Sequence, residues 1–543
     1  MKDKRTLLIF FIIFYVANGF SQFELVPIKS GNTVLFGKDI VINELPMQDQ
    51  RNLALCSSFN GWLYAGYTYF NDINHYPAIT IMKSIDNGIN WMLLVDMYQP
   101  FDNTEINSID ITVCGDSISN IKLFLAFVIV GKGSTTGIGD GYVLRFNGST
   151  GTYEDQLHPT LSSVYSVSLS GDFMFPASNS NPYSLGCMYS YHCYPNNGDS
   201  IIFQSSSNGG ISFDNRKGIA GTANRFGKVA LTFGRGLSNS SGRYFAVWEE
   251  KDDYSSQNGH IYTAHSEPNF NSPFATPVML DSINAAAFNN ARNPVIACQY
   301  NNTDNDSSNI TELVLFDKFV PSENRYDLVG LYNMKSTSTN NFNQFSLNLL
   351  SDKKQQASVC FNPFDSKFMV TYYDSTTQKL PFLLNNFNMT TPDNWQVVSS
   401  GYNESNALTS SSPKIAVNMN LHQAVMVWSK DGIGSKGVAM FDAPYNNWEG
   451  LPENDKTDNS QISVFPNPSS SSATMNFELN KREFVNISLF NMDGRYIKTI
   501  ANQKYEIGKN EVKFDVSGLP HGTYFYTLKS SDISTFGKIS VIR

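Results

Sequence analysis

Four basic residues set the first chemical question. Arg51, Lys228, Arg292 and Lys414 each stand at or near the start of a predicted strand, at similar phases of a repeated pattern. Strands phased in this way around one axis would bring the four side chains to one end of a channel. There they would receive an anionic ligand such as an acidic sugar or a phosphate; the plain alternative is ordinary surface charge. Carboxylates set the second question, because paired Asp and Glu residues hydrolyse glycosidic bonds. The densest acidic cluster is Glu249-Glu250 with Asp252-Asp253. It falls just past a predicted second strand and reads as a solvated loop, so no catalytic residue is assigned. His260 and His265 stand at an odd spacing, which puts their rings on opposite faces of a strand. Asp304-Asn305-Asp306-Ser307-Ser308-Asn309 begins like a calcium loop but lacks the glycine at the sixth position and the distal glutamate. Calcium is thus the one ion with any signal, and no metal ligand set and no cofactor is expected. A P-loop, a dinucleotide fingerprint, HExxH and GxSxG are all absent.

The six cysteines do not form a disulfide framework. Cys56, Cys114, Cys298 and Cys360 share one phase, late in predicted first strands, and read as buried thiols. Residues at one phase of neighbouring repeats stand too far apart to bridge. Cys187 and Cys193 cannot meet if the chain between them is extended; a bend at Tyr189–His192 would let them pair, and export through an oxidising compartment would allow it.

The elements that position these residues are repeated strands. Candidate first strands are Leu53–Cys56, Ile109–Cys114, Val164–Leu169, Lys228–Phe233, Val295–Tyr300, Ala357–Phe361 and Lys414–Met419. Their starts are roughly 55 to 65 residues apart. Aromatic-rich second strands follow at Trp62–Phe70, Lys122–Val130, Tyr183–Tyr191, Arg243–Glu249, Lys367–Tyr373 and Gln423–Trp428. The fifth repeat is irregular, since Asn301–Asn309 interrupts it where a second strand is due. Three or four strands per repeat of this length predict an all-β propeller of seven blades, with six or eight left open. The apolar stretch Phe23–Ile28, left over before the first repeat, would complete the last blade and remove the exposed edges.

One turn type recurs within these repeats. Ser84-Ile85-Asp86-Asn87-Gly88-Ile89-Asn90-Trp91 fits S-x-D-x-G-x-x-W, and Ser206-Ser207-Asn208-Gly209-Gly210-Ile211-Ser212-Phe213 is a degenerate copy at the same phase. The Asp or Asn caps amides of the hairpin, the glycine supplies a positive φ, and the aromatic residue packs between sheets. These turns resemble the Asp-boxes (BNR repeats) of sialidase-like propellers, where the box is a structural staple away from the active site. The resemblance implies the fold more than the activity. Sialidase chemistry needs an arginine triad, a Tyr–Glu nucleophile pair and an Asp acid/base. Here the only x-R-x-P string is Ala291-Arg292-Asn293-Pro294, in the fifth repeat, and no three arginines share an obvious phase.

The C-terminal stretch is different in kind. Val485, Ile487 and Leu489 alternate with polar residues, as do Val512, Phe514 and Val516, then Tyr524, Tyr526 and Leu528, then Ile539 and Val541. This is the two-residue period of half-buried strands, and about seven of them predict a small Ig-like sandwich. Pro466 and Pro468 keep the opening segment out of a central ladder. Phe465-Pro466-Asn467-Pro468, the Asp493-Gly494 turn, Gly522 with Tyr524, and the basic final strand with Lys538 together resemble the type A C-terminal sorting domain of the type IX secretion system. That resemblance implies recognition by the secretion machinery, removal of the domain, and release or anchoring at the surface. The N-terminus agrees: Lys2, Lys4 and Arg5 precede a short apolar run, Leu7–Val16, and a small-residue segment ending near Ser21. That is a cleaved signal peptide, and the apolar run is too short for a comfortable membrane span.

The resulting division is signal peptide 1–21, propeller 22–448, polar linker 449–461 and sorting domain 462–543. Charged residues are 16% of the chain and the net charge is −9. Nucleic-acid binding, which needs basic patches, is not expected, nor is a transmembrane span. The expected role is a surface or secreted binding module for a glycan or protein partner. The alternatives are a secreted carbohydrate-active enzyme or a structural part of the cell surface.

Overall fold

A strand covered by neighbouring sheets on both faces has no solvent side, so its sequence loses the alternation of a half-buried strand. This explains the second strands. In Lys122–Gly131 every residue from Leu123 to Val130 is buried, and Arg243–Lys251 and Glu312–Val320 show similar unbroken runs. The structure, a computed structural model, describes residues 35–36, 39–43, 49–71, 76–98, 103–172, 181–193, 198–214, 216–235, 242–253, 259–266, 274–281, 290–300, 310–334, 341–345, 347, 353–385, 395–399, 401–403, 405–408, 412–431, 436–445, 463–479, 481–490, 496–530 and 534–542. Residues 1–21, residues 449–461 and Asp304–Asn309 lie outside these residues. The chain divides into two compact units, Met1–Asn446 and Asn447–Arg543.

The first unit is all-β. Its described residues form propeller-like four-stranded antiparallel meanders, each opening on an inner strand. The inner strands are Arg51–Ser57, Thr104–Cys114, the second half of Tyr153–Ser170, Arg225–Gly234, Ala291–Cys298, Lys354–Asn362 and Lys414–Asn418. Each packs against the next, and the last packs against the first, so they close a ring. Neighbours run parallel, because Val229 N–H and Leu231 N–H donate to the hydroxyls of Ser166 and Ser168 in ascending order, at 3.3 and 3.1 Å. Two meanders share Tyr153–Ser170: it pairs with Gly139–Asn147 up to Val164 and with Leu185–Cys193 from Val164 onward.

A segment from the N-terminal side joins the last meander. Phe23–Ile28 lies outside the described residues. The strand that joins the last meander is Ile40–Val41, paired with Phe441 and Met440. Asp49 and Gln50 reinforce it, accepting Gly437 N–H and Ala439 N–H, each at 2.7 Å. The fifth repeat also regains its second strand, Glu312–Val320, after the interruption. Cys187 and Cys193 are free thiols at the two ends of one extended stretch within Leu185–Cys193, which settles that they do not pair.

The second unit holds two sheets, of three and four strands. One face of each is buried in a single core that includes Met475, Phe477, Val485, Ile487, Leu489, Phe514, Tyr526 and Ile539. The Phe465–Pro468 segment leaves an edge strand, Ser463–Phe465, and lies along the final strand, where Asn467 Oδ1 accepts Ser540 N–H at 2.8 Å. Tyr524 is buried and its hydroxyl donates to Pro520 O at 2.9 Å; Gly522 opens that strand. Lys538 lies opposite Phe525 in the ladder between the last two strands. Asp493 and Gly494 fall outside the described residues. Among the described residues no helix is long and apolar enough to cross a membrane.

Candidate functional site

The inner strands do not begin as regular ladders. Six of them carry a register shift near their start. It lies between Arg51 and Ala54, Ile106 and Ser108, Val164 and Ser166, Phe226 and Val229, Arg292 and Val295, and Gln355 and Ser358. In each case the inner strand has one residue more than its partner, which is a β-bulge, and a bulge re-aims the side chain beside it. Asn52, Asn293 and Gln356 take positive φ values of 48°, 54° and 55° there. Asn52, Asn107, Tyr165, Lys228, Asn293 and Gln356 are the bulge residues that line the axial cavity, whose volume is about 480 Å³. The last inner strand has no bulge; Lys414 opens it directly after Pro413 and lines the same cavity.

Hydrogen bonds sew this rim together from one inner strand to the next. Asn52 Nδ2 donates to Ile106 O at 3.1 Å, and Asn107 Nδ2 donates to Tyr165 O at 3.3 Å. Lys228 Nζ donates to Asn293 Oδ1 at 2.6 Å. Asn293 Nδ2 donates to Asp317 Oδ2 at 2.8 Å, and Asp317 Oδ1 accepts Gln356 N–H at 2.8 Å. Glu249 has the same role in the preceding meander: it accepts Lys228 N–H at 3.1 Å and also Asn293 N–H. A bulge leaves amides without ladder partners, and buried amides need acceptors; the two carboxylates meet that need. Asp110 does so deeper in the channel, accepting Leu169 N–H at 2.8 Å and the Ser168 hydroxyl at 3.0 Å.

The electrostatics follow from this enclosure. Burial raises the Asp317 carboxyl to about 6, against the opposing pull of Asn293, Gln356 N–H, Arg292 and Lys228. Burial likewise raises Asp110. Lys228 is exposed to the channel but ringed by protein, and that desolvation lowers its ammonium while Glu249 and Asp317 pull it back. Lys414 is lowered by desolvation and then by the charge of Lys228.

Of the four basic residues singled out from sequence, the structure brings Lys228 and Lys414 to the channel. Arg292 stands behind them, its guanidinium 3.2 Å from the centre of the Tyr326 ring and its Nε 3.7 Å from Asp317. Arg51 points elsewhere and pairs with Asp49 at 2.8 Å. The reading of Glu249 as loop is corrected: it lies within Arg243–Lys251, is 1% exposed, and pairs with Lys251 Nζ at 3.3 Å. Asp252 and Asp253 are exposed. Sequence reading missed the rim amides, because Asn and Gln carry no motif and a bulge is a property of pairing. His260 pairs with Asp281 Oδ2 at 2.5 Å, and no group of three metal-ligating side chains exists among the described residues.

The two recurrent turns lie on the outer part of the meanders. In the first, Ser84 Oγ accepts Gly88 N–H at 2.8 Å and Asp86 Oδ1 accepts Asn90 N–H at 2.9 Å. Gly88 has φ +93° and a Cβ there would lie 2.0 Å from Phe441, so only glycine fits. Trp91 packs edge-on to Phe441 at 5.2 Å. In the second, Ser206 Oγ accepts Gly210 N–H at 2.9 Å, Asn208 Oδ1 accepts Ser212 N–H at 3.0 Å, and Phe213 packs on the neighbouring core. Gly210 lies against Phe124 and Leu157. Each turn therefore fastens its own meander to the preceding one, and the first fastens the first meander to the last.

Residues 463–542 match the family described as "Secretion system C-terminal sorting domain". The C-terminal unit is a type IX sorting domain. It addresses the chain to the type IX secretion machinery and so to export across the outer membrane. No curated protein matches the chain. Among solved structures, the first unit is similar to an α-L-arabinofuranosidase from Fusarium graminearum, at 10% identity and a TM-score of 0.42, covering 75% of this chain and 97% of that one. It is similar to an α-L-arabinanase from Penicillium chrysogenum, at 10% identity and a TM-score of 0.41, covering 75% and 98%. It is also similar to the NanB sialidase from Streptococcus pneumoniae, at 12% identity and a TM-score of 0.38, covering 78% and 72%. Likeness of this degree concerns the arrangement of the sheets and says nothing of activity.

Proposed function

We propose that the exported protein is a binding module, a seven-bladed propeller stapled by Asp-box turns that takes a glycan or surface partner at the bulged end of its channel. The observation that carries this reading is the rim. Bulges at one phase turn amide, tyrosine and lysine side chains into a cavity, while the nearby carboxylates are already occupied by backbone amides. Asn52 and Asn107 are exposed on this rim, and their side-chain oxygens suit them to accept hydrogen bonds from a ligand's hydroxyls. The enzyme reading has one observation in its favour, the raised Asp317 carboxyl. A general acid must reach the leaving oxygen, however, and Asp317 is 0% exposed.

The test is a glycan array probed with the purified full-length protein, with released sugar assayed in parallel. Retention without release is expected, and it should weaken in Asn52→Ala and Asn107→Ala. Sugar release would replace the binding reading with an enzymatic one. Silence in both assays would point to a protein partner or a structural role. Deleting residues 462–543 should leave the propeller folded inside the cell envelope; normal amounts of the truncated protein outside the cell would sink the export reading.

A further inference from the structure

We infer that the Lys228–Lys414 pair is an anion subsite, so that the ligand of the channel is an acidic one: a carboxylate or sulfate group carried on a polyhydroxylated chain. This deepens the binding reading above and rests on it. Both lysines line one cavity, on inner strands that are not neighbours. Their ammonium charges bear on each other, and like charges are held together only against their repulsion. Lys228 spends one of its three donors on Asn293 Oδ1, at 2.6 Å. Lys414 makes no hydrogen bond and no ion pair among the described residues, in a rim whose other members are sewn to one another. The carboxylate whose field reaches Lys414 is Asp110, and its Oδ2 is already taken by Ser168 and Leu169.

Two desolvated cations with donors to spare, facing one cavity, make a place for an anion to complete. The neighbouring polar groups define what the anion is attached to. Asn52 and Asn107 carry exposed side-chain oxygens on the same cavity wall, and an acceptor suits hydroxyls rather than a second anionic group. Arg292, held on Tyr326 and beside Asp317, adds positive field from behind without entering the cavity. A bare phosphate would meet the lysines but leave the amide rim unused.

The experiment is isothermal titration of the full-length protein with four probes. These are a neutral oligosaccharide, its uronate counterpart, its sulfated counterpart, and inorganic sulfate. The acidic oligosaccharides should bind roughly 10- to 100-fold tighter than the neutral one, and that advantage should shrink as salt is raised. Lys414→Met and Lys228→Met should each remove most of the advantage, while Lys414→Arg, which keeps the charge, should retain it. Thermal melting of each variant separates lost binding from lost folding. Equal binding of neutral and acidic sugars would overturn the anion subsite and leave the binding reading standing. Binding of inorganic sulfate alone, lost in both methionine variants, would keep the subsite and overturn the glycan. Acidic binding unchanged in the methionine variants, or no binding of any probe, would overturn the subsite.

Discussion

The inner strands carry a cluster of buried charge at each end, and the two are built differently. At the far end Asp172, Arg235 and Tyr300 follow three successive inner strands. Arg235 donates to both carboxylate oxygens of Asp172, the Tyr300 hydroxyl donates to Oδ1 at 2.5 Å, and Asn181 N–H donates to Oδ2 at 3.1 Å. Arg235 and Asp172 are each 2% exposed. Both Asp172 oxygens are thus taken by donors from within the protein. At the near end, Glu249 and Asp317 are equally buried and equally committed, but the cations around them are not: Lys228 keeps free donors, and Lys414 makes no hydrogen bond or ion pair among the described residues and feels Asp110 only at a distance. A saturated cluster locks strands together, whereas one with unspent valence on the cavity side holds its strands and leaves something for a ligand.

The largest effect should come from opening the closed cluster. Arg235→Met would leave Asp172 buried and negative, a change that typically costs about 3–5 kcal/mol. The midpoint of urea unfolding for the propeller should fall accordingly. A shift no larger than that of a surface substitution would mean that the far cluster is not a lock and that the contrast between the two ends fails.

Asp317 sharpens the contrast through pH. Its folded carboxyl lies at about 6, above the ordinary value of 3.8, so the folded state holds that proton more tightly than the unfolded chain. The stability it contributes is fully present below about pH 4 and is lost as pH rises through about 6. Each tenfold difference in proton affinity is worth roughly 1.4 kcal/mol, so the change is on the order of 3 kcal/mol at most. Denaturant titrations at a series of pH values would show it as a slope that flattens in Asp317→Asn. An unchanged slope in that variant would place the titration elsewhere.

Much of the scaffold at these two ends was readable from sequence, and the chemistry was not. Inner strands announced themselves because small and apolar residues recur at a fixed phase, and second strands because burial on both faces makes them continuous apolar runs. The C-terminal unit was clearer still, since one solvated face preserves strict alternation around Val485, Ile487 and Leu489. Glu249 was misread because an acidic run normally marks a loop; only the pairing with Gly227 and Lys228 across a bulge shows it to be the acceptor for two amides. The strand Ile40–Val41 was not legible because two apolar residues carry no period; its ladder with Met440 and Phe441 and the nearby side chains of Asp49 and Gln50 define it. Arg51 shows the converse error: correct phase, but a local aspartate two residues earlier captures it.

Glu249→Gln tests whether the near cluster holds its strands at all. Glutamine keeps one acceptor and turns an NH₂ group toward a bulge amide, so one buried donor loses its partner, and Lys251 loses its ion pair. The expected cost is about 1–3 kcal/mol. Because the amides concerned belong to Lys228 and Asn293, ligand affinity should fall together with stability. Lost stability with intact binding would show that the bulges are not what aims the rim.

The smallest effect carries the clearest sign. If Lys414 is a desolvated cation awaiting a ligand, it is a liability to the empty fold, and its charge also presses on Lys228. Lys414→Met removes a group whose desolvation the free protein offsets only in part, through Asp110, and leaves a flexible apolar chain of similar length. The unliganded protein should then gain stability or stay unchanged, by less than about 1 kcal/mol, while acidic ligands lose their hold. The comparison with Arg235→Met is therefore one of opposite tendency: removing a cation from the closed end costs several kcal/mol, and removing one from the open end costs nothing. A Lys414→Met protein as destabilised as Arg235→Met would mean that Lys414 already has its counter-charge within the chain, and the near end would be a second lock rather than a site.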